Sequence, residues 1–210
     1  MRETAPRPLL TPVAVVALTV LALGAVRAEA QRFEITPALG FQVGGELTRT
    51  STFGHNERVD FEDSECYSLT LGYHVSPESI LELTYSLQPT EPALPAGEPR
   101  PDLDVQSLLF GGSYHWRPGD GVDPYIQLSV GASRFEITDV GSATRFASAL
   151  GGGVRLRVSQ RVGVRLDGRV LSSFAFDEAE LICRPGLCYG WAGGSWMNQF
   201  ALSVGLILGF

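Results

Sequence analysis

The sequence predicts an all-β protein: a closed antiparallel up-and-down barrel of about eight strands that spans a membrane. Three observations support this fold class. Apolar residues recur with a period of two, one parity of the strands lacks charges along the strand cores, and short connections alternate with long ones. After residue 30 no segment approaches the roughly 18 consecutive apolar residues of a transmembrane helix, which excludes a membrane-spanning helical bundle.

Residues 1–30 have the pattern of a secretory signal peptide. Two arginines precede the apolar run Leu9 to Ala25, and Ala28-Glu29-Ala30 is a small-x-small cleavage pattern. A retained membrane anchor is disfavoured because polar residues and a proline interrupt the run. We therefore expect cleavage after Ala30 and a single barrel domain formed by residues 31–210.

Each predicted strand alternates an apolar with a small or polar side chain, and most are near the roughly 9 to 11 residues that cross a bilayer at a tilt. The fourth strand is the least regular, because Val105 and Leu109 are apolar on the other parity. The strands are predicted at residues 33–43, 67–75, 81–87, 108–116, 126–131, 150–158, 162–170 and 200–210.

The predicted connections alternate in length around the barrel. Short connections on one side and long ones on the other are typical of outer-membrane barrels, in which the short turns face the periplasm. The short turns are Ser76 to Ser79, Arg117 to Asp123, and Ser159 to Arg161. The long loops are Glu46 to Asp63, Pro89 to Leu103, Glu136 to Ala143, and Ala175 to Ser195.

Charged residues of the strands fall on the parity opposite the apolar one, which predicts that they face the lumen. In a narrow barrel we expect them to neutralise one another as an internal ion-pair network that fills the lumen, with a small pore as the alternative. The predicted network consists of Glu34, Glu82, Arg155, Arg157, Arg165, Asp167 and Arg169.

Alternation alone does not decide which face is inside, and a soluble lipocalin-like periplasmic carrier would show the same period. Two features favour the membrane. Small residues and glycines dominate much of the polar parity, as a crowded interior requires. Phe33, Tyr73, Trp116 and Phe210 cluster where apolar strands would meet the periplasmic interface, as in an aromatic girdle.

The sequence contains three cysteines. Cys183 and Cys188 flank the turn-like segment Arg-Pro-Gly-Leu, so we predict a disulfide between them in an oxidising compartment, leaving Cys66 over. Metal binding by these cysteines is disfavoured because no second pair or nearby histidine completes a tetrahedral set. We expect no cofactor.

The segment Phe33-Glu34-Ile35-Thr36-Pro37, the glycine-rich strand Gly151 to Leu156 and the alternation ending at Phe210 resemble the small outer-membrane β-barrel superfamily of the OmpA/OmpX type. The resemblance implies that Phe210 is the C-terminal aromatic signal read by the barrel-assembly machinery. At Pro37 we expect a bulge or a break in the hydrogen-bond ladder, because proline has no N–H.

No constellation in the sequence matches a catalytic motif of known mechanism, and we predict a non-enzymatic protein with a structural or surface-interaction role. The alternative, a lipid-modifying enzyme, would use His55 among the acidic residues of the first loop. His74 and His115 are expected to lack an adjacent acid and nucleophile. The loop carboxylates that could hold a divalent cation, but are expected to be solvated, are Glu57, Asp60, Glu62 and Asp63.

The expected partners follow from the charge and the surface. A net charge of −7 excludes nucleic acid as a partner. The lipid of the outer membrane and the barrel-assembly machinery during insertion are the expected partners of a monomer located in the bacterial outer membrane.

Overall fold

The computed structural model describes residues 32–51, 56–91, 102–116, 121–138, 141–174, 181–184, 187–190 and 196–210. Within these ranges the chain forms twelve strands, and no helix there has the length and hydropathy to cross a membrane. The strands are β1 (Phe33–Gly44), β2 (Glu46–Ser51), β3 (Asn56–Asp60), β4 (Ser64–Ser76), β5 (Ser79–Thr90), β6 (Leu103–His115), β7 (Val122–Ile137), β8 (Gly141–Arg157), β9 (Val162–Phe174), β10 (Leu181–Arg184), β11 (Leu187–Gly190) and β12 (Trp196–Gly209).

Eight strands close into an antiparallel barrel in the order β1-β12-β9-β8-β7-β6-β5-β4. The first strand pairs with β12 on one side and with β4 on the other, so the barrel has no free edge. The pairing of β1 with β12 is interrupted at Thr36 and Pro37 and resumes without a register shift at Ala38, as expected for a proline in a ladder. The predicted fold class is confirmed.

The other four strands form a second sheet in the order β10-β11-β2-β3, built from the first and the last of the long connections. Gly44 and Gly45 let the chain leave the barrel for this sheet, since both have positive φ angles, 81° and 103°. A Cβ atom on Gly45 would lie 2.6 Å from a ring carbon of Phe61, so the turn also needs a residue without a side chain. We call this unit the outer sheet.

The predicted long loop from Glu136 to Ala143 is wrong. β7 and β8 have 16 and 17 residues, and their pairing continues to Ile137 opposite Gly141. Because about 9 to 11 residues cross the bilayer, this hairpin extends beyond the membrane. This part was predicted as a loop because its outward residues, such as Arg134 and Glu136, are polar. They are polar because they lie outside the lipid.

The side chains have the predicted orientation. Apolar residues of one parity are exposed on the outside of the barrel, and the exposed fraction of Leu202 is 57%. Charged residues of the other parity are enclosed, with exposed fractions of 5% for Glu82 and 6% for Arg165. In a membrane the exposed apolar surface contacts hydrocarbon, which is the arrangement of a transmembrane barrel.

Aromatic side chains lie at both ends of this apolar surface. At the end with the short turns, the rings of Phe33 and Tyr73 lie 5.0 Å apart, and Trp116 meets Tyr114 edge to face. At the other end Trp196 packs against Phe174, with ring centroids 4.7 Å apart. Such girdles sit at the two membrane interfaces, and they bound the height of the apolar band.

The lumen differs between its two halves. Near the short turns it contains the charged network, whereas near the long connections it combines buried apolar side chains with buried polar ones such as Gln88, Arg145 and Gln199. The inward orientation of Val105 and Leu109 explains why the fourth predicted strand was irregular. The residues of the predicted charged network thus lie in the half of the lumen near the short turns. The buried apolar residues of the outer half include Phe61, Leu103, Val105, Leu109, Phe135, Ile137, Leu171 and Met197.

We expect Leu202→Arg to lower the free energy of unfolding in lipid by about 2 to 4 kcal/mol, because it places a charge near the centre of the hydrocarbon. Asn198→Arg is the matched control, since Asn198 is exposed on the same strand and the same face but lies nearer the interface, where the cost is about 0 to 1 kcal/mol. Denaturant titration in phospholipid vesicles measures both values. Equal costs at the two positions would contradict the assigned depth of Leu202.

Candidate functional site

The polar half of the lumen contains two ion-pair clusters. The first, which we call the mouth cluster, lies at the end of the barrel with the short turns. Arg155 donates to Oε2 of Glu34 at 2.5 Å, and Nε2 of His74 lies 2.9 Å from the same oxygen. Gly72 stands directly opposite Glu34 on the neighbouring strand, and a Cβ atom there would lie 2.6 Å from Cγ of Glu34. The glycine therefore makes room for the buried carboxylate.

The second cluster is centred on Arg165, and we call it the central cluster. The guanidinium donates to both carboxylate oxygens of Glu82, at 2.8 and 3.2 Å, and to Asp167 at 3.2 Å. It also donates to the hydroxyl of Tyr125 at 2.7 Å and to the amide oxygen of Gln127 at 2.5 Å. One arginine thus receives acceptors from three strands, β5, β7 and β9, and neutralises buried carboxylates that would be costly alone.

A row of hydrogen bonds extends the central cluster towards the mouth. The hydroxyl of Ser113 donates to Glu82 at 2.8 Å and lies 3.0 Å from Nε2 of His115. Nδ1 of His115 lies 2.8 Å from Asp123. The expectation that His115 lacks an adjacent acid and nucleophile is therefore wrong. Strand register is the reason, because Ser113 and His115 share the inward parity of β6 while Asp123 comes from β7.

Asp123, His115 and Ser113 have the connectivity of a catalytic triad, in which an acid orients a base beside a nucleophile. Their surroundings differ from those of an active site. Ser113 and His115 have exposed fractions of 5% and 1%, and the hydroxyl of Ser113 also contacts Glu82. A substrate would have to reach Ser113 through packed side chains. The row is suited to fixing the orientation of buried polar groups.

The two clusters leave little space in the lumen. The cavity beside Arg165, Asp167 and Arg169 measures about 10 Å³, which is the smallest volume that could hold one water molecule. Beyond it lie the buried side chains of the outer half, both apolar and polar. The mouth is wider, with a cleft of about 320 Å³ that is lined by residues of the mouth cluster and of the turn between β8 and β9.

Comparison with known proteins identifies the family. The sequence model of the family described as outer membrane protein beta-barrel domain matches residues 16–206, which is most of the chain. The chain belongs to this family. The suspected resemblance to small outer-membrane barrels is thereby confirmed. A search of curated protein sequences found no significant match.

Solved structures of outer-membrane barrels have the same fold. The outer membrane protein OprG from Pseudomonas aeruginosa has a TM-score of 0.59 and 11% sequence identity, covering 87% of this chain and 97% of that chain. Neisserial surface protein A has a TM-score of 0.53 and 14% identity, covering 85% and 97%. The outer membrane protein AlkL, solved in lipid bilayers, has a TM-score of 0.53 and 16% identity, covering 100% and 97%. At these identities the likeness shows the fold alone.

In this outer-membrane barrel the seven residues of the predicted ion-pair network do not form a single cluster. Five of its members form the two clusters described above. Arg157 lies exposed at the mouth, and Arg169 lies beside the lumen cavity, where no salt bridge to it is found among the described residues. The five clustered members are Glu34, Glu82, Arg155, Arg165 and Asp167.

Other predicted residues lie at the two ends of the barrel. The backbone N–H of Phe210 donates to the carbonyl of Phe33 at 2.8 Å, and its role in assembly stays a prediction. His55, the Glu57 side chain and the signal peptide lie outside the described residues. Asp60, Glu62 and Asp63 are exposed at the long-loop end, and no group of acids, histidines or cysteines able to hold a metal is found in the described part of the chain.

Sequence reasoning missed several members of the central cluster. Tyr125 and Gln127 share one parity of β7, and Ser113 and His115 share one parity of β6. The alternation of side chains along a strand therefore gives the face on which they lie, the lumen. Their partners could not be derived from parity, because the central cluster joins strands that are far apart in sequence.

We expect Arg165→Gln to lower the free energy of unfolding by about 3 to 5 kcal/mol, because it leaves two enclosed carboxylates without their counter-ion. Arg134→Gln is the control, since Arg134 pairs with Glu136 at 3.4 Å on the exposed part of β7, where such a pair contributes less than about 1 kcal/mol. Denaturant titration of both variants in vesicles gives the difference. Similar losses would show that Arg165 is not an interior counter-ion.

Proposed function

We propose that the protein is a closed, non-catalytic barrel of the bacterial outer membrane that has a structural or surface-interaction role, with the outer sheet as its interacting part. The observation that carries this proposal is the filled lumen. Two ion-pair clusters occupy its inner half, and buried apolar side chains together with a few buried polar ones occupy its outer half. A barrel of eight strands has room inside only for side chains, so transport through the lumen is disfavoured.

The position of the outer sheet supports the surface role. By the rule for outer-membrane barrels, the end with short turns faces the periplasm and the end with long connections faces the cell exterior. The outer sheet is built from two of those long connections, which the barrel brings together although they are far apart in sequence. It forms a paired sheet in connections that a rigid barrel positions, and such connections are where binding residues concentrate.

The burial of Ser113 and His115 supports the absence of catalysis. The mouth cleft reaches Asp123, but Ser113 and His115 are not among the residues that line it. A nucleophile needs space for a reacting atom about 3 Å away, and this serine is surrounded by its own hydrogen-bond partners.

We expect the refolded full chain to show no steady single-channel steps in planar bilayers, because the two clusters and the buried side chains of the outer half block the lumen in series. Arg165→Gln at the blocked centre and Arg134→Gln on the outside are recorded beside it. Silence from all three proteins supports a closed barrel, since the outer half remains in each. Steady steps from the unaltered protein would establish a pore and contradict the proposed function.

We also propose the disulfide between Cys183 and Cys188. The backbone places the two residues directly opposite each other in the pair β10 and β11, next to the pair formed by Arg184 and Leu187. Cys66 is buried in the barrel wall as a free thiol. Peptide mapping without reductant is expected to give a peptide linking Cys183 to Cys188. A peptide joining either of them to Cys66 would refute this pairing.

A further inference from the structure

The cleft at the periplasmic mouth has the composition of a binding site for an anion. Three arginines line it, Arg155, Arg157 and Arg161, together with His74. The carboxylates in its lining are Glu34 and Asp123. The cleft is therefore net positive before any charge on His74 is counted, although the chain as a whole has a net charge of −7. A local excess of the opposite sign attracts anionic ligands.

The backbone of Arg161, at the entrance of the cleft, is held in a hydrogen-bonded turn. The hydroxyl of Ser159 accepts the backbone N–H groups of Arg161 and Val162, at 3.3 and 3.0 Å. The carbonyl of Arg161 accepts the N–H of Gly209 at 2.8 Å, which ties the turn to the end of β12. Arg161 is exposed, so its side chain at the barrel rim is accessible to a ligand.

One wall of the same cleft is apolar and continues the lipid-facing surface. Phe33, Leu156 and Val162 line the cleft on the outward parity. Phe33 has an exposed fraction of 61% and packs against Tyr73 in the aromatic girdle. The girdle marks the level of the headgroups, so the cleft joins a cationic side at the mouth to an apolar side at the membrane boundary.

We propose that this cleft binds the phosphate of an anionic phospholipid headgroup in the periplasmic leaflet. The guanidinium groups of Arg157 and Arg161 contact the phosphate, to which arginine donates two parallel hydrogen bonds. The acyl chains lie along Phe33 and Val162 in the lipid. Free inorganic phosphate has the same charged group but no chains, so it would leave the apolar wall uncovered.

Among the described residues, the opposite end of the barrel has an excess of negative charge. Its exposed charged side chains in the described residues are mostly acidic, among them Glu62, Asp63, Glu65, Asp102 and Glu136. Anionic headgroups are repelled there and attracted at the mouth. The two ends therefore favour one orientation across a membrane whose inner leaflet contains anionic phospholipid.

Native mass spectrometry of the full chain in detergent tests the proposal, with titrations of phosphatidylglycerol, phosphatidylcholine and inorganic phosphate. We expect phosphatidylglycerol to bind more tightly than phosphatidylcholine, and inorganic phosphate to bind far more weakly. The double variant Arg157→Gln, Arg161→Gln should weaken phosphatidylglycerol binding by about fivefold for each arginine removed. Arg134→Gln removes one arginine at the other end and should leave binding unchanged.

A second double variant separates charge from structure. Arg157→Lys with Arg161→Lys keeps the charge but loses the paired hydrogen bonds, so it should bind phosphatidylglycerol more tightly than the glutamine variant and more weakly than the unaltered protein. Heat-modifiable migration on a gel shows that each variant has folded before it is titrated. The proposal is overturned if the glutamine variants bind phosphatidylglycerol as the unaltered protein does, if Arg134→Gln weakens binding equally, or if inorganic phosphate binds as tightly as the lipid.

Discussion

The hydrocarbon of a bilayer offers no hydrogen-bond partner to a peptide group, and the architecture of this chain follows from that constraint. Strands can cross such a medium only if each one is paired on both sides, which the ladder from β1 through β12 and back to β4 achieves. Closure then divides the side chains of every strand into two sets. One set meets lipid, and the other is enclosed in a lumen too narrow for free charges.

The enclosed set reaches neutrality through a few arginines. Arg165 receives acceptors from three strands, and Arg155 neutralises the carboxylate of Glu34 at the mouth. Breaking either pair would leave a buried charge, so the clusters fix the relative positions of strands far apart in sequence. The outer half contains buried apolar side chains such as Leu109 and Phe135, together with buried amides such as Gln88 and Gln199. A closed scaffold with a displayed sheet is the result.

Period two was sufficient to predict the barrel, the orientation of rows such as Phe200 to Phe210 and the inward position of Glu82 and Arg165. It was insufficient where a strand left the lipid. Beyond the girdle the alternation of β7 is reversed, with Phe135 and Ile137 facing inward and Arg134 and Glu136 facing outward, so this part did not match the pattern of a lipid-facing strand. Parity also gives a direction but no partner, which is why the link from His115 to Asp123 was missed.

The central claim is that one parity of leucines meets lipid and the other meets the lumen. Methyl-labelled protein in lipid nanodiscs tests it by nuclear Overhauser effects from the acyl-chain methylenes. Leu166 and Leu202 are exposed on the outside, whereas Leu109 and Leu171 are buried within. We expect strong cross-peaks from lipid to the first two and none to the second two. Cross-peaks to Leu109 and Leu171 but not to Leu166 and Leu202 would contradict the account.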